Sequence, residues 1–445
     1  MAADYDETWE SLDTHAVPDW YHDAKLGIFI HWGVYSVPAW APVGDYAEWY
    51  PYHMYQEGSE THEYHREQYG EDVEYEDFAP EFTAENWDPS AWAEFFADVG
   101  AGYVVLTGEH HDGFPLWDTH YQSQHAGSVG PERDLVGDLC EAARAEGLRF
   151  AASYHANLNY YQPGFPGAFG HPDYGGETVD DASPGSEYVD FMNAKHRELI
   201  RKYEPDLLWF DVPRAESDHL HAKELVADYY ETAANEWGKE VVVNDRMSTD
   251  AGREHGDFDT PEYETFDEVR DRKWESCRGI GHSFGYNRAE DEDDHLSAGE
   301  LVRSFADIVS KNGNLLINVG PRADGTIPEV QKRPLEGLGA WLDADGEAMF
   351  GTRPWVVPED ETGGAEVRYT WKDGDLYATF LSWPGETATL SVTDHADAPE
   401  SAELLRTGAG LDVTEAGDGL RVETGERPAD APAYAVRLRG VENPR

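Results

Sequence analysis

Short runs of β-branched and aromatic residues recur through the first three quarters of the chain, each ending in a polar or charged side chain. They occupy 27–31 (GIFIH), 103–107 (YVVLT), 149–154 (RFAASY), 207–211 (LLWFD), 241–244 (VVVN), 258–263 (FDTPEY), 282–286 (HSFGY) and 314–319 (NLLINV). Amphipathic stretches at 90–100, 134–147, 185–203, 219–237 and 296–312 separate several of them. In the second, Leu135, Leu139 and Ala142/Ala143 repeat at helical spacing and Gly147 stands at the stop position. Apolar strands alternating with helices form a parallel sheet buried on both faces. Eight such units predict an α/β fold built on an irregular (β/α)8 TIM-like barrel. The irregularity lies at 247–257 and 264–281, which are too short or too rich in Gly and charge for helices and read as loops. The segment 32–89 reads as a long aromatic insertion that walls the site.

After a helix-like stretch at 329–348 the period changes. Short alternating runs at 366–371, 376–383, 387–392, 401–406 and 433–439, punctuated by Gly, Asp and Pro, predict a C-terminal antiparallel β-sandwich. The expected division is a barrel over 1–350 and a sandwich over 351–445.

Charge changes the picture next. The 445 residues include 33 Lys+Arg against 90 Asp+Glu, a formal net charge of −57. A folded protein of this size exposes roughly 17,000 Å², or one net negative charge per ~300 Å². Such a field repels nucleic acid and anionic membranes, and neither is an expected partner. Aromatic residues at 13% exclude a disordered acidic chain. The acidic excess is spread along the chain and reads as the signature of a salt-in halophile. Two cysteines, Cys140 and Cys277, are too few for a disulfide framework, and no apolar run approaches the ~18 residues of a membrane span. The N-terminal residues carry no basic and apolar leader pattern, so a cytoplasmic location is expected.

In such barrels the site lies at the C-terminal ends of the strands. The residues that end the proposed strands are His31, His110 and His111, Tyr154, Asp211, Arg246, Glu262 and Asn318. Asp211 is the sharpest, a carboxylate directly after four apolar residues; its structural alternative is capping or pairing with Arg214. Glu262 competes with Asp257, Asp259, Glu264 and Glu268, and Pro261 marks a distorted strand end there. Two carboxylates across one pocket are the equipment for glycoside hydrolysis. Adjacent strand residues such as His110 and His111 point to opposite faces, and no His-x3-His or Cys cluster accompanies them. The expectation is therefore no metal and no cofactor, with the histidines serving sugar hydroxyls. Trp32, Trp40, Trp49, Trp117, Trp209 and Phe284 offer faces on which a sugar can stack.

The segments WYHDAKLGIFIHWGVYSVPAW (20–40), AEWY (47–50), YVVLTGEHHDGFPLWDT (103–119), RDLVGDL (133–139), WESCRGIGHSFGYNR (274–288) and IVSKNGNLLINVGPRADGTIP (308–328) together resemble the α-L-fucosidases of glycoside hydrolase family 29. The resemblance runs over about residues 17–355. It implies a retaining enzyme acting on fucosylated glycans, with Asp211 of LeuTrpPheAsp (208–211) as nucleophile and Glu262 of ThrProGluTyr (260–263) as proton donor. Glu264 and Glu275 stand in reserve for the donor. It further implies that His31, Glu48, Trp49, His110, His111, Tyr154, Trp209, Arg246 and Phe284 contact the sugar. The Gly or Trp usual after the nucleophile is replaced by ValProArg. A relative with drifted sugar specificity, a non-catalytic sugar binder and a metal-dependent hydrolase are the other classes considered, and the oligomeric state is open.

Self-repulsion at this charge density fades as the screening length falls to ~3 Å in molar salt. The melting temperature, followed by scanning fluorimetry, is expected to rise by about 10 °C between ~0.1 M and ~3 M KCl. A melting temperature indifferent to salt contradicts the halophilic reading.

Overall fold

The computed structural model describes residues 3–157, 184–252, 254–392, 398–417 and 419–442. Seven parallel strands form the first sheet: β1 (Leu26–Ile30), β2 (Tyr103–Glu109), β3 (Arg149–Tyr154), β4 (Leu207–Phe210), β5 (Val242–Val243), β6 (Trp274–Gly279) and β7 (Gly313–Val319). Their order is β5-β4-β3-β2-β1-β7-β6. Nearly every residue of these strands is buried, because helices cover the outer face. The main helices are Pro89–Asp98, Leu135–Ala145, Ser186–Tyr203, Ala222–Thr232, Ala298–Ser310 and Glu329–Asp345.

Two edges remain, β5 and β6, and residues 258–262 join them. Phe258 bridges Asn244 on one side, while Asp259 and Glu262 bridge Trp274 and Cys277 on the other, all in parallel sense. This segment is the eighth stave of the barrel, but it carries isolated bridges in place of a regular ladder. Pro261 is the physical reason, since it has no N–H to donate.

The sequence reading is corrected at β6. The run 282–286 is a loop, and the strand lies at Trp274–Gly279, inside the region read as loop. Its polar residues hid it. Glu275 is fully buried yet satisfied: it accepts from Tyr21 Oη at 2.8 Å, from Trp209 Nε1 at 3.0 Å and from the Tyr103 hydroxyl. Ser276 donates to the Glu264 carbonyl. A strand of this kind does not read as an apolar run.

From Arg353 onward the strands are antiparallel. They are β8 (Arg353–Thr362), β9 (Ala365–Lys372), β10 (Asp375–Phe380), β11 (Ala388–Leu390), β12 (Ser401–Leu404), β13 (Ala409–Leu411), β14 (Val413–Ala416), β15 (Gly419–Val422) and β16 (Tyr434–Arg439). Six of them form a sheet in the order β13-β12-β16-β10-β9-β8, and β11-β15-β14 form a second. They brace the outer helices of the barrel: Trp341 donates to the Ala433 carbonyl at 3.0 Å, and Asp345 accepts from the Ala435 amide and from Arg406. A pair of buried Arg368 with half-buried Asp307 adds to this contact.

Gly27 sets how closely β1 and β2 can approach. A Cβ there would lie 2.3 Å from Cε2 of Tyr103. Gly27→Ala must push that ring off Glu275, and an unfolding titration is expected to show a loss of about 1–3 kcal/mol. Unchanged stability contradicts this close packing.

Candidate active site

The staves deliver their polar side chains to one rim. His31 follows β1, His110 and His111 follow β2, His155 follows β3, Asp211 follows β4, Arg246 lies past β5, and Glu262 sits on the bridging stave. All of them except His111 line one cleft, together with Phe29, Tyr46, Glu48, Trp49, Trp209, Val212, Cys277 and Phe284. Among the described residues, none beyond Phe284 lines this cleft.

Arg246 organises the centre. Its Nη1 donates to Asp211 Oδ1 at 2.7 Å and reaches Glu262 Oε2 at 3.4 Å. Its Nε and Nη2 donate to the side chain and carbonyl of Thr260 at 2.9 and 2.6 Å, and its guanidinium lies 5.0 Å over the Trp209 ring. Because both carboxylate oxygens meet one nitrogen, their separation cannot exceed 2.7 Å plus 3.4 Å, an upper limit of 6.1 Å. Burial alone would raise the Asp211 carboxyl, but His155, Arg246 and His111 outweigh it and hold the group well below the usual carboxylate range. Glu262 accepts from Tyr46 Oη at 2.6 Å and keeps about a third of its side chain exposed (31%). Burial pushes Glu48 up to about 7, against the amide of Gly285 and the hydroxyl of Ser283, which donate to it.

The imidazoles are uncharged at neutral pH. Burial pushes His31 and His111 down to about 4 and His110 and His155 well below the ordinary histidine value. Asn318 fixes one of them. Its Nδ2 donates to the Phe284 carbonyl at 2.6 Å, which turns its Oδ1 toward His31 Nδ1 at 2.7 Å. His31 therefore carries its proton on Nδ1 and offers Nε2 as an acceptor. The Phe284 ring lies 5.0 Å from the His31 ring, and the two form an apolar corner. His111 directs Nδ1 to the His155 carbonyl at 2.7 Å, with its ring 4.8 Å from that of Trp49.

Two residues named from the sequence, His111 and Tyr154, do not line the cleft. Tyr154 turns its hydroxyl to the Met192 carbonyl at 3.1 Å and its ring to His196, away from the cleft. Strand alternation places the next residue, His155, in the cleft instead, with Nδ1 3.3 Å from Asp211 Oδ2. His155 and Tyr46 were both missed. The alternation rule applied at the end of β3 signals the first; Tyr46 lies on the aromatic insertion, where no periodicity points to it. The reserves for the proton donor also fall outside the cleft: Glu264 is exposed, and Glu275 lies beneath it in the core. Val212 takes φ +44°, a left-handed conformation that a β-branched residue rarely adopts, so strain sits directly after Asp211. A metal ion would find nitrogens on His31, His110 and His155, or on His111 and His155 with Asp211, each set within 4.8 Å.

A parallel barrel that presents two carboxylates at its C-terminal mouth is the architecture of a glycoside hydrolase. The family model described as alpha-L-fucosidase matches residues 1–347. The tissue alpha-L-fucosidase of Rattus norvegicus is 35% identical over 393 residues, covering 85% of this chain and 79% of its own. That of Homo sapiens is 33% identical over 458 residues, covering 98% and 92%. The crystal structure of Thermotoga maritima alpha-fucosidase in complex with a mechanism-based inhibitor matches with a TM-score of 0.86 at 40% identity, covering 98% of this chain and 100% of that one. The chain belongs to the α-L-fucosidase family, glycoside hydrolase family 29.

Burial raises Glu275, while Tyr103, Trp209 and Tyr21 hold it down by hydrogen bonding to it. Glu275→Ala leaves these donors unpaired. It is expected to lower unfolding stability by about 3 kcal/mol and to reduce turnover of good and poor leaving groups alike. Intact stability with a loss confined to poor leaving groups contradicts its structural role.

Proposed function

We propose that this chain is a retaining α-L-fucosidase that removes terminal α-L-fucosyl residues from glycans by double displacement. Asp211 acts as nucleophile and Glu262 as acid and base. The observation that carries the reading is the shared Arg246 nitrogen, which keeps Oδ1 of Asp211 and Oε2 of Glu262, one oxygen of each acid, within 6.1 Å of each other. Retaining glycosidases hold their carboxyl groups ~5–5.5 Å apart, and inverting ones need ~6.5 Å or more to admit a water. The Thermotoga relative, 40% identical, is described in complex with fucose.

The chemistry follows from these positions. Asp211, kept ionised, attacks C1 of the fucosyl unit as the C1–O bond to the aglycone breaks, and Glu262 gives its proton to the departing oxygen. A fucosyl ester of Asp211 results. Glu262, now a carboxylate, takes a proton from water; the water oxygen bonds to C1, the ester bond breaks, and Asp211 regains its charge. Two inversions leave the configuration retained. Uncharged histidines suit an uncharged sugar: His31 Nε2 accepts from a hydroxyl, and the corner of His31 and Phe284 receives the C5 methyl group. Tyr46 holds Glu262 and Arg246 holds Asp211, so the two acids differ in partner.

Glu48 supports a second assignment of the acid. It is the other carboxyl lining the cleft, and burial lifts it to about 7. Its oxygen is engaged by the loop that carries Phe284, which favours a holding role. We further read the protein as halophilic and cytoplasmic, on its net charge of −57. No helix among the described residues is long and apolar enough to cross a membrane.

Asp211→Gly is expected to lower turnover of an aryl α-L-fucoside in molar KCl by about 10³-fold or more, with partial rescue by azide. Unchanged turnover removes it from the mechanism. Glu262→Ala should cost about 10²–10⁴-fold on poor leaving groups and far less on activated aryl ones. If Glu48→Ala shows that pattern instead, the acid is Glu48. A chelator is expected to leave turnover unchanged.

A further inference from the structure

We propose that the cleft is also a site for one borderline-soft divalent cation, Zn²⁺ or Co²⁺, held by His31, His110 and His155 in place of the sugar. The three side chains come from the ends of β1, β2 and β3, are 4%, 3% and 0% exposed, and bring one nitrogen each within 4.8 Å of the others. A tetrahedral zinc with bonds of about 2.0–2.1 Å sets its nitrogens roughly 3.4 Å apart, so closure needs movements on the order of 1 Å.

Each ring has a nitrogen to give. Asn318 occupies Nδ1 of His31, which leaves Nε2. Nδ1 of His110 and Nδ1 of His155 are buried and make no hydrogen bond among the described residues. Ligating histidines are commonly oriented through their other nitrogen. Asn318 Oδ1 does this for His31, and Ser153 Oγ lies 2.9 Å from Nε2 of His155. Asp211 Oδ2, 3.3 Å from His155 Nδ1, adds a carboxylate at the same edge. Imidazole sets select Zn²⁺, Co²⁺, Ni²⁺ or Cu²⁺ over Mg²⁺ and Ca²⁺, which prefer oxygen. This is what separates the site from the acidic surface. The competition with sugar rests on the fucosidase reading of the cleft; the cation site itself does not.

The test is a titration of the full-length protein with Co²⁺, in molar NaCl with millimolar Mg²⁺ covering surface carboxylates, followed by visible absorption. The expected result is a set of intense bands from nitrogen-ligated, low-coordinate Co²⁺ that saturates at one equivalent and is displaced by L-fucose. His155→Gln and Asn318→Ala, which leaves all three ligands in place, should each weaken binding about tenfold or more. His120→Gln, at a surface histidine, should leave it unchanged. A weak octahedral spectrum that ignores these substitutions overturns the proposal. Bands that form on the three histidines but resist L-fucose uphold the cation site and contradict the sugar reading of the cleft.

Discussion

A single guanidinium between two carboxylates is the constraint on which this site turns. Two half-buried acids so close repel each other, and in a protein with 57 surplus negative charges there is little positive potential to relieve them. Arg246 supplies it locally and unequally, at 2.7 Å from Asp211 and 3.4 Å from Glu262. The inequality is useful: one acid stays ionised, and the other keeps a hydroxyl partner, Tyr46, and an open edge toward solvent. Thr260 anchors the guanidinium and the Trp209 ring underlies it, so the cation is placed by the stave that also carries Glu262.

That stave is the least regular part of the barrel. Residues 258–262 close the gap between β5 and β6 by isolated bridges, and the Pro261 that weakens the ladder stands directly before Glu262. Below it, Glu275 gathers Tyr21, Tyr103 and Trp209 into one buried network that ties the floor of the cleft to the core. Above it, Asn318 and Glu48 grip the loop 283–285, through the Phe284 carbonyl and the Gly285 amide. Precision at the mouth thus draws on the buried polar groups Glu275, Asn318 and Glu48, each of which finds hydrogen-bond partners.

Much of this was legible in the chain. Strand ends rich in titratable groups place His31, His110, Asp211 and Arg246 on one rim, because a parallel barrel exposes only those ends to a ligand. The bridging stave was visible at 258–263 even though its ladder is broken. What escaped had a physical cause in each instance. Strand β6 escaped because Glu275, Ser276 and Arg278 make it read as polar, and the compensating donors lie up to 254 residues away. His155 escaped because its neighbour Tyr154 resembled a sugar contact, whereas the pleat turns that ring into the core. Tyr46 sits on an insertion without periodicity, and the thin exposed strands β13 and β14 lack a buried face to announce them.

The stereochemistry of the first product bears most directly on the paired acids. Proton NMR taken during the first minutes of hydrolysis of an aryl α-L-fucoside, before mutarotation, reads the anomer released. Carboxylates this close predict that α-L-fucose appears first and the β-anomer grows in later by equilibration. Initial release of β-L-fucose means a water reaches C1 directly, and the account of Asp211 and Glu262 fails.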